Sequence, residues 1–518
     1  MKIPKFRNDI YTDWSKPANR KKQEEALRKL ESQSGKEYPH IIGGERVLSV
    51  SKFSSINPSN PSHIMGVFQR GTTEDALRAI DVALKTFEEW RWIPYAMRAQ
   101  FLLKAAKIMR KRRFELNATM ILEVGKNWVE ADGDTAEAID FLEFYGREML
   151  RYGNTKTAVQ LPGEKDELEY IPLGVGIVIP PWNFPLAILA GMTTAAVVTG
   201  NTVVLKPSSD SPLIGYKFME VMEEAGLPAG VINYVTGPGG AVGDTLVQHP
   251  KTRFISFTGS KEVGIHIYQE AAKVQTGQIW LKRVVVEMGG KDAIIVDHDT
   301  NLEEAAAGVV VSAFGFQGQK CSACSRAIVD ERVYDKFLEL VKARVESITV
   351  GPTKIMSNYL GPVINKGSME KIQQYIEKGL REGGRLIAGG KQAQGEGYFL
   401  QPTVIADVGP KATIAQEEIF GPVLAVIRAR DFDNALEIAN NTEFGLTGAV
   451  YSKNKRKLER AKKEFHCGNL YINRKCTGAM VGAHPFGGFN MSGTDSKAGG
   501  QDYLLLFLQA KSIATKMK

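Results

Sequence analysis

From Thr72 onward the apolar residues Leu77, Ile80, Leu84 and Phe87 recur three or four positions apart, which lays a single apolar stripe along an α-helix. Asp75, three residues after Thr72, adds a weak capping box that marks where this helix begins. A second long helical region is predicted from Met97 to about Leu150. Residues 15 to 35, beginning SKPANRKKQEEALRKLE, read as an N-capped, charged surface helix that closes on Gly35. After residue 170 the period changes. Short β-rich runs (Val175 to Ile179, Val203 to Leu205, Val231 to Val235, Phe254 to Phe257, Val284 to Val286, Ala293 to Val296) alternate with helical stretches. That alternation predicts βαβ units, hence parallel sheets with helices on both faces. The longest apolar run, Pro185 to Val198, is shorter than the ~20 residues of a membrane span and contains Gly191, Thr193 and Thr194, so it reads as a buried helix. A second α/β region, about residues 288 to 480, starts where the first series ends at Glu287. The expectation is two lobes with a ligand-binding cleft between them.

Composition narrows the class without changing this picture. The 518 residues suffice for about three domains of roughly 150 residues, and 43% hydrophobic with 24% charged residues, without repeats, is the profile of a multi-domain globular enzyme. The net charge of +8 is spread, 66 basic against 58 acidic residues, which argues against nucleic-acid binding. The densest basic run, Lys107 to Arg113, overlaps an amphipathic stretch (Phe101, Leu102, Ala105, Ile108, Met109) and reads as one solvated helix face. Four cysteines are too few for a disulfide framework, and the start MKIPKFRNDIYTDW lacks an apolar signal core. A reducing cytoplasm, no membrane partner and a small-molecule substrate are therefore expected.

Among candidate nucleophiles, Cys321 in FGFQGQKCSAC is either a buried structural thiol or a reactive one. Gly315, Gly318, Ser322 and Ala323 around it permit a tight, accessible loop, which favours the reactive reading. Cys321 and Cys324 form a C-x-x-C pair, but Cys467 and Cys476 supply no second close pair, so no metal site is expected; an oxidative Cys321–Cys324 disulfide is a further expectation. FTGSKEVG ends a β-run and opens a helical one, so Gly259, Ser260 and Gly264 would meet a pyrophosphate at a helix N-terminus. Gly237-Pro-Gly239 and Gly174-Val-Gly176 do not complete the dinucleotide fingerprint and read as turns near a cofactor.

FGFQGQKC resembles the cysteine signature of the aldehyde dehydrogenase superfamily, and VEMGGKD (Val286 to Asp292) resembles its glutamate signature. PWNFP, LKP, FTGS, EEIFGPV, NTEFGLTGAVY and PFGGF are similar to further motifs of that family and follow in family order, from about Tyr38 to Leu506. The resemblance implies an α/β, two-lobed fold: a Rossmann-like parallel-sheet NAD(P)-binding domain (1–150 and 171–287), an α/β catalytic domain (288–480) and a small β oligomerisation arm (151–170 and 490–518). It implies Cys321 as nucleophile, Glu287 as general base and Asn183, with the Cys321 N–H, as oxyanion donor. It places Lys206, Glu418 and Phe420 on the ribose and nicotinamide parts of NAD. Ser209 stands where many members carry a glutamate that repels a 2′-phosphate, so NADP use is also expected. The resemblance also implies at least a homodimer, and it is to the stand-alone enzyme, with a proline-oxidising activity expected on a separate protein.

Within the family, EVGKNWVEADGDTAEAIDFLEFYG and NRKCTGAMVGAHPFGGFNMSGT most resemble the branch that oxidises glutamate γ-semialdehyde to glutamate at the end of proline degradation. On that resemblance Ser322, Gly478 and Ala479 hold the substrate carboxylate, Phe184 and Phe486 enclose its methylenes, and Glu137 lies near the ammonium. The rival readings are another carboxylated semialdehyde such as succinate semialdehyde, which predicts basic side chains at the carboxylate end, and a non-catalytic descendant, which would lack Cys321 or Glu287.

Overall fold

The computed structural model describes residues 4–154 and 159–518. The helix Thr73–Trp90 starts on a complete capping box: the Asp75 N–H donates to Thr72 Oγ1 (3.3 Å) and the Thr72 N–H to Asp75 Oδ2 (2.9 Å). The region expected from Met97 to Leu150 is three helices, Tyr95–Lys111, Arg113–Val124 and Trp128–Tyr152. One break is forced at Gly125, whose φ of 70° is left-handed, and the next helix restarts on Asn127, whose side chain accepts from the Glu130 N–H. Between residues 15 and 35 the helix is Pro17–Glu31, and its start has no side-chain cap because the N-cap position is Lys16, whose side chain offers no acceptor. It also ends four residues before Gly35. The Lys107 to Arg113 run is less solvated than expected. Arg110 pairs with Asp9 and Glu143, Arg112 with Glu115 and Glu220, and Arg113 with Asp132.

Two seven-stranded sheets organise the chain. The first runs, edge to edge, Arg283–Glu287, Thr252–Thr258, Val175–Ile179, Thr202–Leu205, Ile232–Tyr234, His40–Ile42, Glu45–Val47; its first five strands are parallel and its last two antiparallel. The second runs Arg385–Ala388, Thr403–Ala406, Val423–Ala429, Arg326–Asp330, Ala293–Val296, Thr447–Tyr451, Asn469–Ile472, parallel except for its first strand. Every β-rich run read from the sequence is a strand of one of them. Helix Ala187–Val198 is buried at every position but Ile188, as its all-round apolar sequence requires. Gly176 lies within a strand, not a turn, and only glycine fits there, since a side chain would run into the Phe254 ring of the neighbouring strand.

A separate two-stranded ribbon pairs Glu164–Pro172 with Leu508–Lys516. Residues 155–158, inside the stretch expected to open the arm, lie outside the described residues, as do residues 1–3 of the chain's start. Within 490–507 the residues Tyr503, Leu504 and Phe507 join the core beneath helix Trp128–Tyr152. Among the described residues no helix is long and apolar enough to cross a membrane.

Candidate active site

The candidate residues gather where the carboxyl ends of the first sheet meet the amino ends of the second. Asn183 and Phe184 follow strand Val175–Ile179, Lys206 follows Thr202–Leu205, Gly259 and Ser260 follow Thr252–Thr258, and Glu287 ends its strand. From the other lobe, Cys321 precedes strand Arg326–Asp330, and Glu418 and Phe420 precede Val423–Ala429. A direct contact ties the two sides together: Asn183 Nδ2 donates to the Gln319 carbonyl (3.1 Å), two residues before the cysteine. Within the second lobe the Gly290 N–H donates to Glu418 Oε1 (3.0 Å). A Cβ on Gly290 would stand 2.7 Å from the Cys321 carbonyl, and one on Gly289 would enter the Glu418 carboxylate, so the paired glycines after Glu287 are required by close approach.

The nucleophile loop is strained in a way its sequence did not disclose. After helix Leu302–Phe314 the backbone turns left-handed at Phe316 (φ 48°), Gln317 (φ 57°) and Gly318 (φ 66°). The Gln317 amide holds this turn by donating to the carbonyls of Gly125 (3.0 Å) and Pro362 (2.8 Å), and a side chain on Gly318 would strike the Gly421 carbonyl. Cys321 itself is partly exposed, whereas Cys324 is buried. Burial, then the carboxylates of Asp292, Glu418 and Glu287, push the Cys321 thiol well above its usual range, so at rest it is a protonated thiol. The expected Cys321–Cys324 disulfide does not fit. Cys324 faces the core, its thiol donating to the Arg326 carbonyl (3.4 Å).

Glu287 lies with its carboxylate turned toward residues 487–496. It accepts a short hydrogen bond from the Ser496 hydroxyl and another from the Gly488 N–H (3.2 Å). Burial nevertheless dominates and raises its pKa to about 7, as it does for Glu418. Ser496 was not singled out from the sequence; nothing short-range marks it, because it meets Glu287 across 209 positions.

On the first lobe's side, Lys206 is buried, its pKa lowered by burial to about 8, and its ammonium has no hydrogen bond or ion pair among the described residues. An unpartnered buried donor there suits the hydroxyls of a ribose. The helix Lys261–Ala272 starts on Ser260, whose hydroxyl accepts from the Val263 N–H (3.4 Å). The N–H groups of Gly259 and Gly264 are engaged by the Glu287 and Ser260 carbonyls (3.1 and 2.9 Å), so neither is free for a phosphate. Gly264 is needed for another reason: a Cβ would meet Met288 Sδ (2.5 Å). The free donors at this helix start are the first-turn N–H groups of Lys261 and Glu262. Phe420, with a φ of 58°, sets its ring edge-on to Trp182 (5.5 Å, 84°) over the same crevice, and Ser209 is exposed. This donor set fits a dinucleotide.

At the distal end Ser322 is buried, and its carbonyl accepts from the Cys476 thiol and the Thr447 hydroxyl (both 3.4 Å), which brings the 476–479 turn against the nucleophile loop. Gly478 has a φ of 80°, and the N–H groups of Gly478 and Ala479 have no partner among the described residues. Phe486 bridges to Ala498, and Phe184 faces Lys126. Glu137 is raised to about 8 by burial and by the nearby Asp134 carboxylate. Basic groups stand here too: Lys320 pairs with Glu130 (2.7 Å), and a Cβ on Gly478 would lie 3.6 Å from Lys475 Nζ. The N-terminal segment covers this end, Asn8 donating to the Asp140 carboxylate and to the Val481 carbonyl.

The sequence pattern of the Aldehyde dehydrogenase family matches residues 47–513. The chain is 57% identical over 512 residues to the 1-pyrroline-5-carboxylate dehydrogenase of Geobacillus thermodenitrificans, covering 99% of each chain. It is 54% identical over 507 residues to that of Bacillus cereus, covering 98% of each. Its fold is similar to that of a Thermus 1-pyrroline-5-carboxylate dehydrogenase with bound NAD, at a TM-score of 0.98 and 51% identity over 100% of both chains.

Proposed function

The chain belongs to the aldehyde dehydrogenase family, and we propose that it oxidises L-glutamate γ-semialdehyde, derived from 1-pyrroline-5-carboxylate, to L-glutamate with NAD, the second step of proline degradation. The observation that carries the reading is the meeting of Cys321, Glu287 and Asn183 at one crevice beside two unpartnered N–H groups, those of Gly478 and Ala479.

Cys321 Sγ attacks the aldehyde carbon as its thiol proton passes to solvent water; its raised pKa keeps it a thiol until then. The oxyanion that forms is received by the Cys321 N–H and by the Asn183 amide, whose second N–H remains available beside its bond to Gln319. Bound NAD supplies the hydride acceptor. Cys321 is left as a thioester, and Glu287, freed from Ser496 by rotation, takes a proton from the water that hydrolyses it. Lys206, the Lys261–Glu262 donors, Glu418 and Phe420 hold the dinucleotide. The exposed Ser209 places no carboxylate beside the adenosine ribose, and the Asp210 carboxylate next to it is engaged by Asn365 (3.3 Å), so NADP also serves.

The Gly478 and Ala479 N–H groups with the Ser322 hydroxyl bind the substrate carboxylate, Phe184 and Phe486 flank its methylenes, and Glu137 takes its ammonium. Lys320 and Lys475 favour one second reading, succinate semialdehyde, whose single carboxylate would use them and leave Glu137 idle. The domains follow the two sheets: residues 1–150 and 171–287 bind the dinucleotide and 288–480 carry the nucleophile. The Glu164–Pro172/Leu508–Lys516 ribbon is the oligomerisation arm, since two strands alone are marginal in water and a partner subunit would cover them. Four unpaired cysteines support work in the reducing cytoplasm.

A substrate panel scored by kcat/KM with NAD tests the reading. Glutamate semialdehyde should exceed succinate semialdehyde, and both should exceed hexanal by at least about tenfold, since each prepared carboxylate donor contributes roughly 1.5–3 kcal/mol. Ser322→Ala should weaken the two carboxylated substrates and spare hexanal. Hexanal turned over as well as glutamate semialdehyde would leave the family standing and remove the proposed substrate.

A further inference from the structure

Lys126 follows the left-handed Gly125 and is wholly buried, yet it takes no direct part in the chemistry above. Its ammonium sits 4.0 Å from the centre of the Phe184 ring and 4.4 Å from that of Phe316. Asp134 Oδ2 lies 3.0 Å away, so the buried ammonium has a counter-charge while it also rests against the two rings. The other Asp134 oxygen accepts the Ala187 N–H (2.6 Å) at the start of the helix that follows the PWNFP segment.

Phe184 adjoins Asn183, and Phe316 opens the strained turn that leads to Cys321. The two loops come from different lobes; besides the Asn183–Gln319 bond and the edge contact of Trp182 on Phe316 (6.4 Å), this cation is touched by both of them. We propose that Lys126 is a positioning residue: a buried cation clamped between the Phe184 and Phe316 rings that holds the Asn183 loop in register with the Cys321 loop. The inference rests on the reading of Cys321 and Asn183 as nucleophile and oxyanion donor. Its strength as a clamp comes from burial, since a cation on ring faces is attracted far more when water is excluded. Its consequence is local, because a shift of about 1 Å between donor and nucleophile is enough to cost on the order of a hundredfold in rate.

The test uses the full chain with saturating NAD. Lys126→Met combined with Asp134→Asn removes both charges at near-constant volume and keeps an acceptor for the Ala187 N–H, so no buried charge is left alone. In stopped-flow the first-turnover NADH burst should slow at least tenfold, while NAD affinity stays within twofold and Tm within a few degrees. Lys126→Arg, which keeps a planar cation on the rings, should recover the burst to within about threefold. A purely structural lysine would instead lower Tm and leave the folded fraction with a wild-type burst rate. Should the double variant not fold, Phe316→Leu opens one side of the clamp and should slow the burst severalfold at unchanged NAD affinity. A wild-type burst in whichever of these variants folds overturns the proposal. Cys321→Ala run in parallel separates the two failures: its burst should vanish, and if it persists the active-site reading itself falls, whatever Lys126 does.

Discussion

The two seven-stranded sheets are near-copies in size and parallel order, but they offer opposite ends to the crevice. The first presents the carboxyl ends of its strands, where open α/β sheets ordinarily bind ligands. The second presents the segments that enter its strands: Gly289 and Gly290 before Ala293–Val296, Cys321 before Arg326–Asp330, Glu418 before Val423–Ala429. The chemistry of the two ends differs accordingly. The first offers donors without partners, the Lys206 ammonium and the N–H groups at the start of helix Lys261–Ala272. The second crowds the carboxylates of Asp292 and Glu418 around a thiol, and Glu287 adds a third from the edge strand of the first sheet, all with raised pKa values and the thiol with them. A preformed helix start can bind a dinucleotide with little distortion. The nucleophile sits partly exposed after the left-handed Phe316–Gly318 turn, and burial with the surrounding carboxylates keeps it protonated.

If that division holds, changes on the second sheet's side should act on turnover and changes on the first sheet's side on cofactor binding. Cys321→Ala should lower kcat by on the order of 10⁴-fold or more while NAD affinity, followed by fluorescence titration, stays near wild type. A comparable loss of NAD affinity would erase the distinction between the two ends.

Glu287→Gln comes next, with steady-state turnover falling roughly 10²- to 10³-fold and the NADH burst retained. Because the base acts only when ionised and its pKa is raised to about 7, wild-type kcat with a plain aldehyde should rise with pH through about 7 and level off above it. The variant should show no such rise. A variant that keeps the wild-type profile would place the titrating group elsewhere.

Lys206→Met, on the first sheet, should raise KM for NAD by about tenfold, the worth of one charge-assisted hydrogen bond of ~1.5 kcal/mol, and leave kcat within twofold. An equal fall in kcat would show that this lysine reaches the reacting atoms. Glu137→Gln should lower kcat/KM for glutamate semialdehyde by a similar factor and leave succinate semialdehyde unchanged. Loss of both would assign the distal end to a substrate without an ammonium.

The smallest effect is expected at Ser209. Ser209→Glu should cut NADP use severalfold while NAD use holds, read as the ratio of kcat/KM values. An unchanged ratio would mean the adenosine ribose lies away from this position.

Much of the scaffold was legible in the chain because it rests on local periodicity. The runs from Val175 to Val296 are strands, and the Thr72–Asp75 box starts its helix as read. What escaped depends on contacts between distant segments. The second of the two breaks within 97–150 is set at Gly125, whose left-handed turn a Gly can mark but does not announce. The start expected on Ser15 falls one residue later, on Lys16, whose side chain has no acceptor to cap the helix. At the site, Cys321 and Glu287 stood out through their glycine settings and a family resemblance, while Ser496, which holds Glu287, and Lys126, held between two rings, did not. The Cys321–Cys324 spacing was misleading, since the chain leads Cys324 into the core with Cys476.

The central claim is that Cys321 carries the substrate as a thioester that Glu287 helps hydrolyse. Intact-mass and peptide measurements on Glu287→Gln, quenched during turnover of glutamate semialdehyde with NAD, test it directly. The account predicts a glutamyl adduct, cleavable by hydroxylamine, on the peptide bearing Cys321 and on no other. NADH formation with no adduct on that peptide, or an adduct that persists when Cys321 is also replaced by Ala, would contradict it.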